Sequence, residues 1–160
     1  MFTSINPFTQ ETIAEYPAHT SGEIAQKLQL GHKAVRELSQ TPLEQRRQWM
    51  MQVAQSLKDN AGAHAALITR EMGKTLQEAK AEVLKCADSA IYFAENITEM
   101  LQPKPVASDA YKSYVSYEPK GIILAIMPWN FPSWQVFRFA IPNILAGNTG
   151  LLKHASNVSG

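Results

Sequence analysis

The sequence predicts an α/β chain: a block of helices first, then the opening strand, helix and strand of a parallel sheet. Two observations carry this. Residues 20–101 hold a helical period punctuated by their own start signals, and after Pro103 and Pro105 the patterning switches to that of strands. The order strand, helix, strand at the end makes one β-α-β unit, whose crossover is expected to be right-handed.

Thr20 with Glu23, Thr41 with Glu44 and Thr75 with Glu78 are three candidate capping boxes, in which hydroxyl and carboxylate each satisfy an orphan amide. Pro42 stands at a first-turn position, where its missing N–H costs nothing. The first helix places Ile24, Leu28, Val35 and Leu38 on one stripe, and the second places Trp49, Met50, Val53 and Leu57 on one face. A third runs through Leu67 and Ile68 to Met72, where Gly73 stops it. The fourth, from about Leu76 to Leu101, carries Val83, Ala87, Ala90, Ala94, Ile97 and Leu101 along its stripe.

Two prolines two residues apart end that helix. Tyr111 to Tyr117 then alternates as a strand does. After the Pro119-Lys120-Gly121 turn, Ile122 to Met127 is apolar throughout, the pattern of a parallel strand covered on both faces. A helix from about Ser133 to Ala146 follows, stopped by Gly147 and expected to kink at Pro142. Leu151 and Leu152 open a second strand ending at Lys153. The expected organisation is 1–102 helical, 103–120 a strand segment, and 121–160 the β-α-β unit. Because a parallel sheet of two strands is a poor endpoint, the chain is expected to be truncated.

Composition excludes several classes of function. With 45% hydrophobic and 18% charged residues and a formal net charge of +1, no strong field points to nucleic acid or to an acidic membrane surface. The most apolar run, Gly121 to Met127, is far shorter than the roughly 20 residues that span a bilayer, and the N-terminus lacks a secretory pattern, so a cytoplasmic protein is expected. The single cysteine, Cys86, sits inside the fourth helix beside its apolar stripe, which reads as burial rather than nucleophile. His19, His32, His64 and His154 are scattered without metal-ligand spacing, so no metal site is expected.

Open α/β sheets bind ligands at the carboxyl ends of their strands, so Met127-Pro128-Trp129-Asn130 and Lys153-His154-Ala155-Ser156 are expected to flank one crevice. The turn after the first strand has no G-x-G-x-x-G fingerprint, which excludes that dinucleotide mode.

Met127-Pro128-Trp129-Asn130-Phe131-Pro132, followed by Ala146-Gly147-Asn148 and Lys153, resembles the M-P-W-N-F-P…A-G-N…L-K-x-A pattern of the aldehyde dehydrogenase family. Glu71-Met72-Gly73-Lys74 matches its E-x-G-K element, Asn6-Pro7 and the helical opening are similar too, and the likeness covers nearly the whole chain. Within the family it is nearest to bacterial succinate-semialdehyde dehydrogenases, which read W-N-F-P-x-W-Q and K-H-A. The resemblance implies an N-terminal portion with the start of a Rossmann-type sheet, one strand of an oligomerisation arm at Tyr111 to Tyr117, and no catalytic domain. The family's catalytic cysteine and glutamate would lie beyond Gly160, so this chain alone is expected to be inactive.

The resemblance also assigns roles. Asn130 belongs to the oxyanion hole, its amide donating to the oxygen that becomes charged when a cysteine thiolate attacks the aldehyde; on the bare sequence a helix N-cap is the competing role. Lys153 would bond the adenosine ribose of NADP or NAD, within a cofactor rim of Met127, Pro128, Trp129, Asn130, Lys153, His154, Ala155 and Ser156. At position 156 NAD-preferring members often carry glutamate; Ser156 leaves room for a 2′-phosphate and favours NADP. Arg138 would grip the carboxylate of a semialdehyde with its guanidinium fork, and Phe131 and Trp134 would wall the aldehyde tunnel. The implied protein oxidises an aldehyde, succinate semialdehyde first among them, and is a dimer or tetramer. Another aldehyde, or a non-catalytic helical binding module, remain the alternatives at this stage.

Overall fold

The computed structural model describes all 160 residues, Met1–Gly160. In chain order the elements are β1 (Phe2–Ile5), β2 (Thr12–Tyr16), α1 (Ser21–Gln40), α2 (Leu43–Asp59), α3 (Ala61–Met72), α4 (Leu76–Met100), β3 (Lys104–Pro105), β4 (Tyr114–Val115), β5 (Ile122–Ile126), α5 (Pro132–Leu145) and β6 (Thr149–Lys153). Helix α4 is the axis: α2, α3 and α5 all pack on it. Its buried positions Ala79, Val83, Cys86, Ala87, Ala90, Ala94 and Ile97 are mostly small, which lets neighbouring helices approach closely. They meet Ala54 and Leu57 of α2, Ala61, Ala65 and Ile68 of α3, and Ile141 and Leu145 of α5 in one continuous core.

Strands β5 and β6 pair in parallel across the α5 crossover, Ile122 opposite Thr149 through to Ile126 opposite Lys153. The A-G-N segment fixes this unit locally. Gly147 ends α5 with φ +91, and Asn148 Oδ1 accepts from the amides of Lys120 (2.6 Å) and Gly121 (3.1 Å), tying the start of β5 to the start of β6.

Several expectations need correction. The antiparallel β1–β2 hairpin was not anticipated. Its turn is set by Asn6, whose Oδ1 accepts from the Phe8 and Thr9 amides, so local turn chemistry held the signal. Two of the three capping boxes form, at Thr20 and Thr75. Thr41 instead ends α1, its hydroxyl donating to Glu37 O at 2.9 Å; Pro42 is the uncapped N-cap of α2, and Glu44 pairs with Arg47. The corner between α1 and α2 is too tight for Thr41 to serve both helices.

Other corrections concern burial. In α1, Leu38 is buried but Ile24 and Leu28 are exposed, because this helix leans on β5 and β6 and its first half has no cover. Trp49 is likewise exposed, and the buried face of α2 runs through Met50, Ala54 and Leu57. Only Tyr114–Val115 of the 111–117 segment forms a strand, paired with Lys104–Pro105, and Tyr111 is fully exposed. In β5 one face is covered, with Ala125 buried, while Leu124 and Ile126 are 63% and 68% exposed. Pro142 lies within α5 without ending it.

Gly73 closes α3 in the left-handed region, φ +86, and a Cβ there would sit 2.9 Å from Pro7 Cγ. Gly73→Ala should therefore lower the stability by about 1–2 kcal/mol from backbone strain alone, with the clash adding to it, as read from the shift in urea midpoint.

Candidate active site

The carboxyl ends of β5 and β6 lie side by side, with the Met127 amide donating to Lys153 O at 3.1 Å. From there the chain turns through Pro128, Trp129, Asn130 and Phe131 into α5. The start of α5 presents a problem of orphan amides. Its N-cap, Phe131, offers no side-chain acceptor, and Pro132 at the first helical position removes only one donor.

The acceptor comes from another helix. Glu82 of α4 is buried, and its Oε1 accepts from the amides of Ser133 and Trp134, both at 2.9 Å. Its Oε2 pairs with the ammonium of Lys74, which is largely withdrawn from water and lies 4.1 Å above the Phe131 ring. At the far end of α5, Arg46 of α2 donates to Leu145 O at 2.8 Å. A carboxylate at the N-terminus and a guanidinium at the C-terminus match the sign of the helix dipole. Neither Glu82 nor Arg46 was singled out in the sequence. For Glu82 a signal existed: a charged residue between Ala79, Val83 and Cys86 on an apolar stripe needs a partner.

Beside this clamp is an open hollow of about 500 Å³. One wall is Trp129, Asn130, Phe131 and Trp134; the other carries two lysines, Lys74 and Lys85, and two glutamates, Glu78 and Glu82. The Lys85 ammonium lies 4.1 Å above the Trp134 ring. Asn130 is exposed, and its side chain makes no hydrogen bond within the chain. The capping role open to it is filled by Glu82, leaving its amide free to face the hollow.

The remaining residues singled out in the sequence lie apart. Lys153 is exposed at the end of β6, Ser156 is exposed, and Ala155 is half-buried. His154 bridges the two rims: its Nδ1 accepts from the Ala155 amide at 2.8 Å, so its Nε2 carries the proton and donates to Pro132 O at 2.9 Å. Met127 is half-buried and Pro128 exposed. Arg138, one turn beyond Trp134, is exposed and outside the hollow. Trp129 and Asn130 therefore share a cavity, whereas Lys153 meets them only through the strand ends. Cys86 is fully enclosed, and burial, aided by the nearby Glu82 charge, pushes its thiol up to about 12.

Comparison with known proteins gives this geometry its context. The model of the Aldehyde dehydrogenase family matches residues 1–160. The chain belongs to the aldehyde dehydrogenase family. A succinate-semialdehyde dehydrogenase [NADP(+)] from Mycobacterium tuberculosis is 47% identical over 97% of this chain and 35% of its own length. An aldehyde dehydrogenase from Paenarthrobacter nicotinovorans is 44% identical, with the same shares covered. Among solved structures, the succinic semialdehyde dehydrogenase of Streptococcus pyogenes in complex with NADP+ superposes with a TM-score of 0.95 at 34% identity, over 99% of this chain and 35% of that one. The chain thus spans about a third of the length of the relatives it matches.

Two outcomes follow from the buried charges. Glu82→Ala leaves the Lys74 ammonium without its partner and two α5 amides without an acceptor, so urea unfolding should show a loss of about 3–5 kcal/mol. Cys86 should resist a thiol reagent at pH 8 in the folded protein and react at once in denaturant. Since its folded thiol holds the proton more tightly than the unfolded one, the associated stability is full below about pH 9 and is lost as pH rises toward 12.

Proposed function

We propose that this chain supplies the oxyanion donor and one rim of the cofactor crevice in a dehydrogenase that oxidises succinate semialdehyde to succinate with NADP or NAD. The observation that carries the reading is the free amide of Asn130. It stands at the carboxyl end of β5, it lines the hollow, and the helix cap it would otherwise form is made by Glu82. A neutral donor held ready for a developing oxyanion lowers the barrier by about 3–4 kcal/mol. The named activities of the relatives from Mycobacterium tuberculosis and Streptococcus pyogenes support the substrate.

The chain's residues fit a nicotinamide cofactor of the phosphorylated kind. The ends of β5 and β6 are adjacent, Lys153 and Ser156 are open to solvent, and no carboxylate lies between positions 153 and 156. Lys153 and Ser156 would hold the adenosine ribose, with the Lys153 charge offsetting a 2′-phosphate. When bound, the cofactor accepts the hydride from the aldehyde carbon. Phe131 and Trp134 would wall the aldehyde's approach, and Arg138, just beyond them on α5, is the cation that family resemblance nominates for the substrate carboxylate. We further assign residues 103–120, with Tyr111, Tyr114, Val115 and Tyr117 exposed, to the oligomerisation arm of a cytoplasmic dimer or tetramer.

The 160-residue chain by itself should show no turnover, because Cys86 is buried and protonated and no other thiol is present. In the full-length protein, steady-state assays with succinate semialdehyde should find that Asn130→Ala lowers kcat by about a hundred- to a thousand-fold with little change in KM. Ser156→Glu should shift the kcat/KM ratio from NADP toward NAD. A KM effect alone at Asn130 would remove the oxyanion assignment.

A further inference from the structure

We infer that Glu71 is a positioning residue for the cofactor: from the end of α3 it holds the loop that leaves β6, and through that loop it sets where Ser156 meets the adenosine ribose. This rests on the cofactor reading above. Glu71 is 5% exposed, yet no cation pairs with its carboxylate. Its donors are neutral: Ser4 Oγ donates to Oε1 at 2.6 Å, and the Gly160 amide donates to Oε1 and Oε2 at 3.1 and 3.2 Å. An apolar side chain of similar size would fill such a position at less cost than a buried charge. What the carboxylate adds is direction, since its oxygens fix a backbone amide 89 residues further along the chain.

Residues 154–160 form no helix or strand, so their course depends on anchors. One end is tied to α5, where His154 Nε2 donates to Pro132 O at 2.9 Å, and the other is tied to α3 through Glu71. Between them the Val158 amide donates to Ala155 O and Ser159 Oγ donates to Ser156 O, both at 3.3 Å, so a compact turn carries Ser156. The buried side chain of Val158 keeps that turn against the body of the protein. Ser156 itself is exposed and its hydroxyl makes no hydrogen bond within the chain, so the backbone of the turn sets its position. The approach at Gly160 is close as well: a Cβ there would stand 3.0 Å from Cδ, Oε1 and Oε2 of Glu71. A side chain at position 160 therefore displaces the loop while leaving the carboxylate in place.

The test uses the full-length protein and the variants Glu71→Ala, Glu71→Gln and Gly160→Val. Calorimetric titration with adenosine 2′,5′-bisphosphate, which carries the ribose and its 2′-phosphate without the nicotinamide half, should show Glu71→Ala weakening binding by about ten-fold. The KM for NADP should rise by a similar factor, while the KM for succinate semialdehyde and the kcat at saturating NADP stay at parent values. Glu71→Gln keeps an acceptor oxygen for Ser4 and Gly160 and should restore most of the binding. Gly160→Val should reproduce the selective rise in the KM for NADP, and it carries the test if Glu71→Ala does not fold. Parent-like NADP affinity in Glu71→Ala with a lowered melting temperature overturns the proposal, as does an equal effect on both KM values and kcat, or a parent-like KM for NADP in Gly160→Val. A parent protein that binds neither the bisphosphate nor NADP rejects the cofactor reading itself, whereas parent binding untouched by the variants rejects the positioning role alone.

Discussion

The carboxylate of Glu82 is the charge on which the arrangement of this chain depends. One of its oxygens caps α5 and the other neutralises Lys74, so a single buried side chain joins the helical core to the β-α-β unit. Withdrawing two charges from water is costly, and their mutual attraction offsets that only when the remaining hydrogen-bonding capacity is also filled. Here the α5 amides fill it. The same contact fixes where α5 begins, and hence where Asn130, two residues before Pro132, stands against α4. With Arg46 on the Leu145 carbonyl, α5 is held at both ends by side chains of the helices it packs against.

Glu71-Met72-Gly73-Lys74 works in two directions from one turn. Glu71, buried at the end of α3, accepts from Ser4 Oγ at 2.6 Å and from the Gly160 amide, drawing the N-terminal hairpin and the last residues together. Gly73 reverses the backbone in the left-handed region, which sends Lys74 the other way, to Glu82. A four-residue segment thus couples regions that are 67, 89 and 8 residues away in sequence. Its part in the candidate site is mechanical: it keeps the Glu82 charge neutral overall so that the start of α5 tolerates it.

Small side chains explain why this bracing is possible. The alanine-rich face of α4 brings three helices close, leaving little room for water around Glu82 and Lys74. On the other side of the molecule the two-stranded sheet keeps an apolar face open at Leu124, Ile126 and Leu152. No other element of the chain covers those three side chains. The contrast shows that the helical core is self-sufficient in packing where the sheet is not.

Periodicity by itself determined the helices, the caps at Thr20 and Thr75, the stops at Gly73 and Gly147, and the parallel β-α-β unit, because each depends on contacts within a few residues or on a repeating apolar face. The N-terminal hairpin was equally local, encoded in the Asn6 turn, yet four- and five-residue strands give too little alternation to stand out. Burial was beyond reach: Ile24, Leu28 and Trp49 fit their stripes, but a stripe is covered only if another element arrives, and that is settled across the fold. The motif around Asn130 marked the site in sequence, while its freedom from capping required Glu82, 48 residues earlier, to take that role in space. Long-range charge pairing leaves no period to read, so tertiary structure alone decided that Lys74 became the partner of Glu82.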